Sequence, residues 1–247
     1  MLKLLSYPLT LLYFISFGLS LVVFHPIQWV CFNVFGYKAH KISVDWLQFF
    51  IMRSLNILGT RFSFNNPHDI PVGVPLILVA NHQSMYDIPP IIWHLRKHHV
   101  KFISKKELGK GIPSVSYNLR HGGSVMIDRK DAVGSIKAIE EFAHTISAKN
   151  WAAVIFPEGT RSRDGKPKAF KTKGLKTMIQ NVPDGLIVPI TINNSWRLLQ
   201  YGQFPLGLGA HLKFEVHMPI AISSISDIDA TVEEVETTVT SKLIANE

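Results

Sequence analysis

The stretch "VANHQSMYD", Val79 to Asp87, ends an apolar run with Asn81 and His82 and sets Asp87 five residues beyond the histidine. A neutral imidazole can take a proton from an alcohol, and a carboxylate on its other ring nitrogen fixes the tautomer and stabilises the imidazolium that forms. His82 follows "LILVAN", so it belongs at a strand end on the rim of a sheet, where ligands of open α/β sheets gather. Asp87 reaches it if residues 83–87 turn into a helix. The same residues would also serve as a loop histidine and as an aspartate capping the helix of "IPPIIWHL"; spacing alone leaves both readings open.

A second constellation is "VIFPEGTRSRDGKPKAFKTKG", where an apolar strand runs into Pro157, Glu158, Gly159, Thr160 and Arg161. Polar side chains and a permissive glycine again meet at a sheet rim. Arg161 can hold a phosphate in a forked geometry, helped by backbone N–H groups and the Thr160 hydroxyl. From Arg161 to Lys176 run seven basic residues opposed only by Asp164, and about five of them read as solvated or drawn to anionic lipid. In "GGSVMIDRK", Arg129 sits just past an apolar strand and either joins Arg161 around one phosphate or makes a salt link at a helix start. Pro189 interrupts the apolar run "LIVPITI", which asks for an edge, a bulge or a ligand-facing bend.

Other chemistries lack their residues. There is no G-x-S-x-G elbow, Walker A sequence or G-x-G-x-x-G, and His94, His98 and His99 lack the glutamate of a zinc-protease helix. No metal site is expected. Cys31 is the only cysteine, so no internal disulfide and no cysteine-based zinc site can form. The net charge of +8 calls for an anionic partner. Only Phe170 interleaves the basic run, which argues against nucleic acid and for lipid or substrate phosphate.

The elements that must position these residues are short apolar runs, "PLILVA", "VKFIS", "GSVMID", "WAAVIFP", "GLIVPITI" and "HLKFEVHMP", separated by helical or loop-like segments: an α/β alternation. The clearest helix is "DAVGSIKAIEEFAHTISAKN", with Asp131 as N-cap, an apolar stripe of Val133, Ile136, Ile139, Ala143 and Ile146, and an end at Asn150. "AFKTKGLKTMIQN" and "DATVEEVETTVTSKLI" read as two more.

The 47% hydrophobic content is concentrated at the amino terminus. Leu9 to Phe24 carries no charge, and extension back to Leu4 gives the ~20 apolar residues of a spanning helix, a borderline length that also suits a helix entering only one leaflet. A signal peptide is disfavoured, because "LVVFHPIQWV" offers no small-x-small cleavage site. The next stretch places Val44, Leu47, Ile51, Leu55 and Leu58 on one helical stripe, suited either to a bilayer surface or to packing on the domain. If residues 4–24 span, Lys38, Lys41, Arg53 and Arg61 put the catalytic part on the cytoplasmic side. The length fits one domain, residues 61–247, preceded by a helical anchor, residues 1–60.

Taken together and in order, "NHQSMYD", "GSVMIDR", "FPEGTRS" and "VPI" resemble the four motifs of the glycerolipid acyltransferases, most closely the bacterial 1-acylglycerol-3-phosphate acyltransferases. The resemblance covers about residues 60–220. It implies a single α/β domain, a central mixed sheet flanked by helices, with an N-terminal membrane-associated helical pair at the inner membrane of a bacterium, catalytic face to the cytoplasm. It implies transfer of an acyl group from acyl-CoA or acyl carrier protein to lysophosphatidic acid, with anionic membrane lipids as partners and no cofactor beyond the thioester donor. His82 would be the general base and Asp87 its orienting partner. Arg161 and Arg129, with Gly159 and Thr160, would hold the acceptor phosphate; Glu158 would shape the loop; Pro189 would serve the acyl donor or support the site. The rivals are another lysolipid as acceptor and a silent anionic-lipid-binding protein.

Overall fold

The strand-length runs pair into one eight-stranded sheet, seen in a computed structural model that describes residues 2–244. Its strands are β1 (Arg61–Asn65), β2 (Leu76–Ala80), β3 (Val100–Lys105), β4 (Val125–Ile127), β5 (Ala152–Ile155), β6 (Leu186–Asn193), β7 (His211–Val216) and β8 (Ile220–Ala221). They lie in the order β1-β7-β6-β2-β5-β3-β4, with β8 on β6. Pairing is parallel from β6 through β2, β5 and β3 to β4, and β7 and β8 run antiparallel to β6. The mixed sheet matches the expected architecture. β1 and β8 are additions: "RFSFN" is half exposed at the sheet edge, and two residues are too few to leave a pattern.

β2 is buried at every position, as a strand covered on both faces must be. Leu76, Leu78 and Ala80 join one core layer, and Ile77 and Val79 the other. The first layer is closed by α2 (Ile88–His94) and the N-terminal helices, against which α3 (Val115–His121) also packs; the second by α4 (Ala132–Lys149), α5 (Thr172–Gln180) and α6 (Ile228–Ser241). Asp131 caps α4 by accepting the Gly134 N–H at 2.9 Å, and Asn150 ends it in a left-handed conformation, as its sequence predicts. Val133 departs from the expected stripe at 82% exposure, because the first turn of α4 borders an open cleft with Ala132, Ser135 and Ile136 instead of core.

Pro189 is neither at an edge nor at a ligand-facing bend. It sits in the central strand β6, beside Val79 of β2. On its other side, β8 pairs with Leu186 and Ile187 and β7 with Ile190–Asn193. The proline, lacking an N–H, falls where one antiparallel partner gives way to the next, and its carbonyl still accepts the His217 N–H at 2.9 Å.

α1 (Leu2–Leu55) is broken at Gly36, whose φ of 78° reverses the chain. The halves form a hairpin: the Ser16 and Ser54 hydroxyls are 2.8 Å apart, Phe24 meets Phe50, and Leu21 packs with Leu47 and Ile51. The stripe Val44, Leu47, Ile51, Leu55, Leu58 is buried, which selects packing on the protein over packing on a bilayer. The first half is amphipathic in the inverted sense. Ser6, Thr10, Tyr13 and Gln28 face the protein, whereas Leu4, Leu11, Leu12, Ile15, Leu19, Val22 and Val23 are exposed.

Candidate active site

Because β2, β3, β4, β5 and β6 run in one direction, their carboxyl ends share one edge of the sheet. At the end of β2 the Asn81 amide continues the ladder by side chain, donating to the Ile192 carbonyl at 2.8 Å and accepting the Ile192 N–H at 2.7 Å. The chain then turns through Met85–Asp87 as a short 3-10 helix closed by a capping box: the Ser84 hydroxyl accepts the Tyr86 N–H, and the Asp87 carboxylate accepts that of Ser84. This turn carries Asp87 back beneath His82. Asp87 Oδ2 lies 2.8 Å from His82 Nδ1 and also accepts the Gln83 N–H at 2.8 Å.

The Nδ1–H therefore points at a carboxylate, which leaves Nε2 as the ring's acceptor. Arg161 Nε donates to Nε2 at 3.4 Å. Phe156, just after β5, stacks on the imidazole with ring centres 4.0 Å apart and planes inclined by 15°. The ring is thus held from one edge by Asp87 and from one face by Phe156.

The loop after β5 is tied to the same histidine through the backbone. Glu158, only 2% exposed, accepts the His82 N–H at 2.8 Å and the Lys168 N–H at 3.2 Å. Burial pushes its carboxyl up to about 7, against the pull of those two N–H groups and the Lys168 charge. The His82 carbonyl accepts the Ser162 N–H at 2.8 Å. Gly159 turns the chain with φ +69°, and Lys168 Nζ donates to Thr160 Oγ1 at 2.8 Å and to the Arg161 carbonyl at 2.9 Å. Burial, Arg129 and Arg163 lower the Arg161 pKa, while Asp87 opposes them.

A cleft of about 1120 Å³ opens in front of His82. Its lining combines apolar side chains, Phe102, Ile103, Leu108, Ile127, Ile139 and Phe156, with basic ones, Lys105, Arg129, Arg161, Arg163, Lys168, Lys171 and Lys173. Of the residues singled out by sequence, His82, Arg129, Gly159, Thr160 and Arg161 line it; Asp87 and Glu158 stand behind His82; Pro189 is not among the lining residues. The basic run is solvated, as expected, with six of its seven members exposed, and five of the seven, Arg161, Arg163, Lys168, Lys171 and Lys173, also line the open cleft. Glu158 and the Pro157 carbonyl accept the Lys168 and Lys171 N–H groups and so hold this stretch of the loop along the cleft.

Several residues of the site were not singled out by sequence. Lys105 stands at the end of β3 and was reachable by the strand-end argument that found His82. Ser195 left no local signal. It follows β6, is fully buried, and its hydroxyl donates to Asp87 Oδ1 while its N–H donates to Gln83 Oε1 at 3.1 Å. Among the described residues no group of three or more His, Cys, Asp or Glu side chains could hold a metal ion. What the arrangement can do is take a proton at Nε2 from a group in the cleft whose anionic end lies among the cations.

The chain resembles known proteins over the same region. A structure titled as the 1-acyl-sn-glycerophosphate acyltransferase PlsC of Thermotoga maritima shares the fold, with a TM-score of 0.82 at 24% identity over 98% of this chain and 96% of that one. The 1-acyl-sn-glycerol-3-phosphate acyltransferase of Helicobacter pylori is 34% identical over 133 residues, 51% of this chain and 54% of that protein. The alpha form from Ovis aries is 29% identical over 149 residues, 60% of this chain and 50% of its own length. The chain thus spans about half the length of the curated relatives it matches. The family model described as Acyltransferase matches residues 61–193, more than half of the chain, and takes in both loops that meet at His82. By that match the chain belongs to the acyltransferase family.

Proposed function

We propose that this protein transfers an acyl group from a thioester, on coenzyme A or acyl carrier protein, to the sn-2 hydroxyl of 1-acylglycerol 3-phosphate, forming phosphatidic acid. The observation that carries the reading is the His82–Asp87 pair with Nε2 turned toward a cleft lined by both apolar and basic side chains. The relatives named as 1-acyl-sn-glycerol-3-phosphate acyltransferases support the same acceptor.

In this mechanism His82 Nε2 takes the hydroxyl proton as the acceptor oxygen attacks the thioester carbonyl. Asp87 stabilises the resulting imidazolium. Collapse of the tetrahedral adduct breaks the carbon–sulfur bond, and the departing thiolate receives the proton from His82. Arg161 and Arg129, with Thr160 and the Gly159 backbone, hold the phosphate, so Arg161 leaves its resting contact on Nε2 when the acceptor binds. Glu158 shapes the loop, and Pro189 supports the sheet behind it. No enzyme nucleophile and no cofactor beyond the thioester takes part.

Residues 1–60 serve as the membrane anchor and residues 61–247 as the catalytic unit. The exposed apolar face of the first helix supports insertion into one leaflet, since its polar side is already spent on the domain. The site is assigned to the cytoplasmic face of a bacterial inner membrane, where the basic rim meets anionic lipid.

The test is product formation by the detergent-solubilised protein from a labelled acyl thioester and a panel of lysolipids, with His82→Ala alongside. Labelled phosphatidic acid that disappears in the variant supports reaction and base together. Transfer only to lysolipids without a phosphomonoester would overturn the acceptor assignment, and turnover by His82→Ala would overturn the base.

A further inference from the structure

We propose that Ser195 is a positioning residue for the His82–Asp87 pair, holding the Asp87 carboxylate in the orientation that presents Oδ2 to the imidazole. The proposal rests on the reading above that His82 is the base. Asp87 is fully buried, so each of its oxygens needs a donor within the protein. Oδ2 has three: His82 Nδ1 and the backbone N–H groups of Gln83 and Ser84. All come from the same turn of chain, and none of them holds Oδ1. Oδ1 takes the Ser195 hydroxyl, from a loop 108 residues away.

Ser195 is itself fixed. Asn194 adopts a left-handed conformation with φ 68°, tolerable for asparagine, and its side chain donates to the His211 carbonyl at 3.1 Å. That turn aims the Ser195 N–H at Gln83 Oε1, 3.1 Å away. The hydroxyl lies 3.5 Å from the same Oε1 and closer to Asp87 Oδ1, so its single proton goes to the carboxylate. Upstream, the double hydrogen bond between Asn81 and Ile192 sets the register of the two loops. Ser195 is not among the cleft-lining residues and acts only through Asp87.

A donor on Oδ1 keeps Oδ2 aimed at the imidazole, so the pH response of the pair depends on it. The other charged or titratable groups facing the pair are Arg161 at Nε2, Glu158 at the His82 backbone with Lys168 behind it, and Tyr86 beside Asp87; a Ser195 substitution touches none of them.

The experiment compares wild type, Ser195→Ala and Ser195→Thr in detergent by two pH profiles. One is kcat/KM for acyl transfer to lysophosphatidic acid; the other, without substrate, is the rate of His82 modification by diethyl pyrocarbonate read by mass spectrometry. Ser195→Ala should lose about 10- to 100-fold in kcat, the factor of a lost hydrogen bond to a charged group, with acceptor KM changed less than about twofold. The midpoints of both profiles should shift by about half a pH unit or more, and Ser195→Thr should remain near wild type. Wild-type kcat and midpoints in Ser195→Ala would overturn the proposal, as would equal losses in both variants with midpoints unmoved, the mark of packing alone. Should Ser195→Ala not fold, Ser195→Cys, a much weaker donor, takes its place. A wild type that modifies normally but transfers nothing to any lysolipid would sink the functional reading, while the modification midpoints still decide the role of Ser195.

Discussion

Glu158 holds the backbone N–H of His82 at 2.8 Å, not its ring. The carboxylate bridges the loop after β2 to the loop after β5, and its second oxygen carries the Lys168 N–H. It governs where His82 sits and how the basic loop folds, without touching the imidazole.

The burial of Glu158 has a pH signature. Burial raises the Glu158 pKa from an ordinary 4.5 to about 7, so the folded state binds the proton more tightly than the unfolded state. The stability it contributes is full below the ordinary value and lost as pH rises through the folded value. Thermal unfolding of wild type in detergent, followed from about pH 5 to about pH 8, should therefore lose midpoint more steeply than Glu158→Gln, which cannot ionise. Parallel profiles would show that Glu158 is not held in the protonated range.

Arg161 donates to His82 Nε2 at 3.4 Å and lines the cleft among the other cations. Arg161→Ala should raise the acceptor KM about tenfold or more with a smaller change in kcat, and Arg161→Lys should not restore it, because an ammonium cannot make a forked contact. Steady-state kinetics with varied lysophosphatidic acid decide the matter. An unchanged KM would remove Arg161 from the phosphate site.

Gly159 turns the loop at φ +69°, and a Cβ there would approach Lys171 Cδ at 3.2 Å. The lysine end can move aside, so the backbone strain dominates and Gly159→Ala should cost about 1–2 kcal/mol. Denaturant unfolding measures it. Because the strained turn carries Glu158 and Thr160, activity should fall by more than the stability loss alone explains.

Asn81 is 1% exposed and satisfies both the N–H and the C=O of Ile192. Asn81→Ala leaves two buried backbone groups without partners and should destabilise the protein by about 2–4 kcal/mol. A loss below about 1 kcal/mol in denaturant unfolding would mean that water or a shifted strand replaces the amide.

Some of this molecule was written locally. The polar residues at the ends of β2, β4 and β5, the five-residue step from His82 to Asp87, and the caps of α4 at Asp131 and Asn150 each depend on a few neighbouring residues. Periodicity and cap chemistry operate over that range, and so these features were legible in the chain by itself. The second helical stripe was legible too, but its partner was not: an apolar face looks the same whether it meets lipid or protein, and only the hairpin at Gly36 settled it.

The rest required the fold. Pro189 is accommodated because β7 and β8 divide one side of β6 between them, a fact of strand pairing rather than of the residues around it. The basic loop lies along the cleft because Glu158 captures its backbone, and Ser195 meets Asp87 only because β6 lies parallel to β2 and ends on the same edge. By itself the sequence determined which residues could carry a proton or hold an anion. Which of them meet was decided by strand order, set by burial of both sheet faces across contacts more than a hundred residues apart.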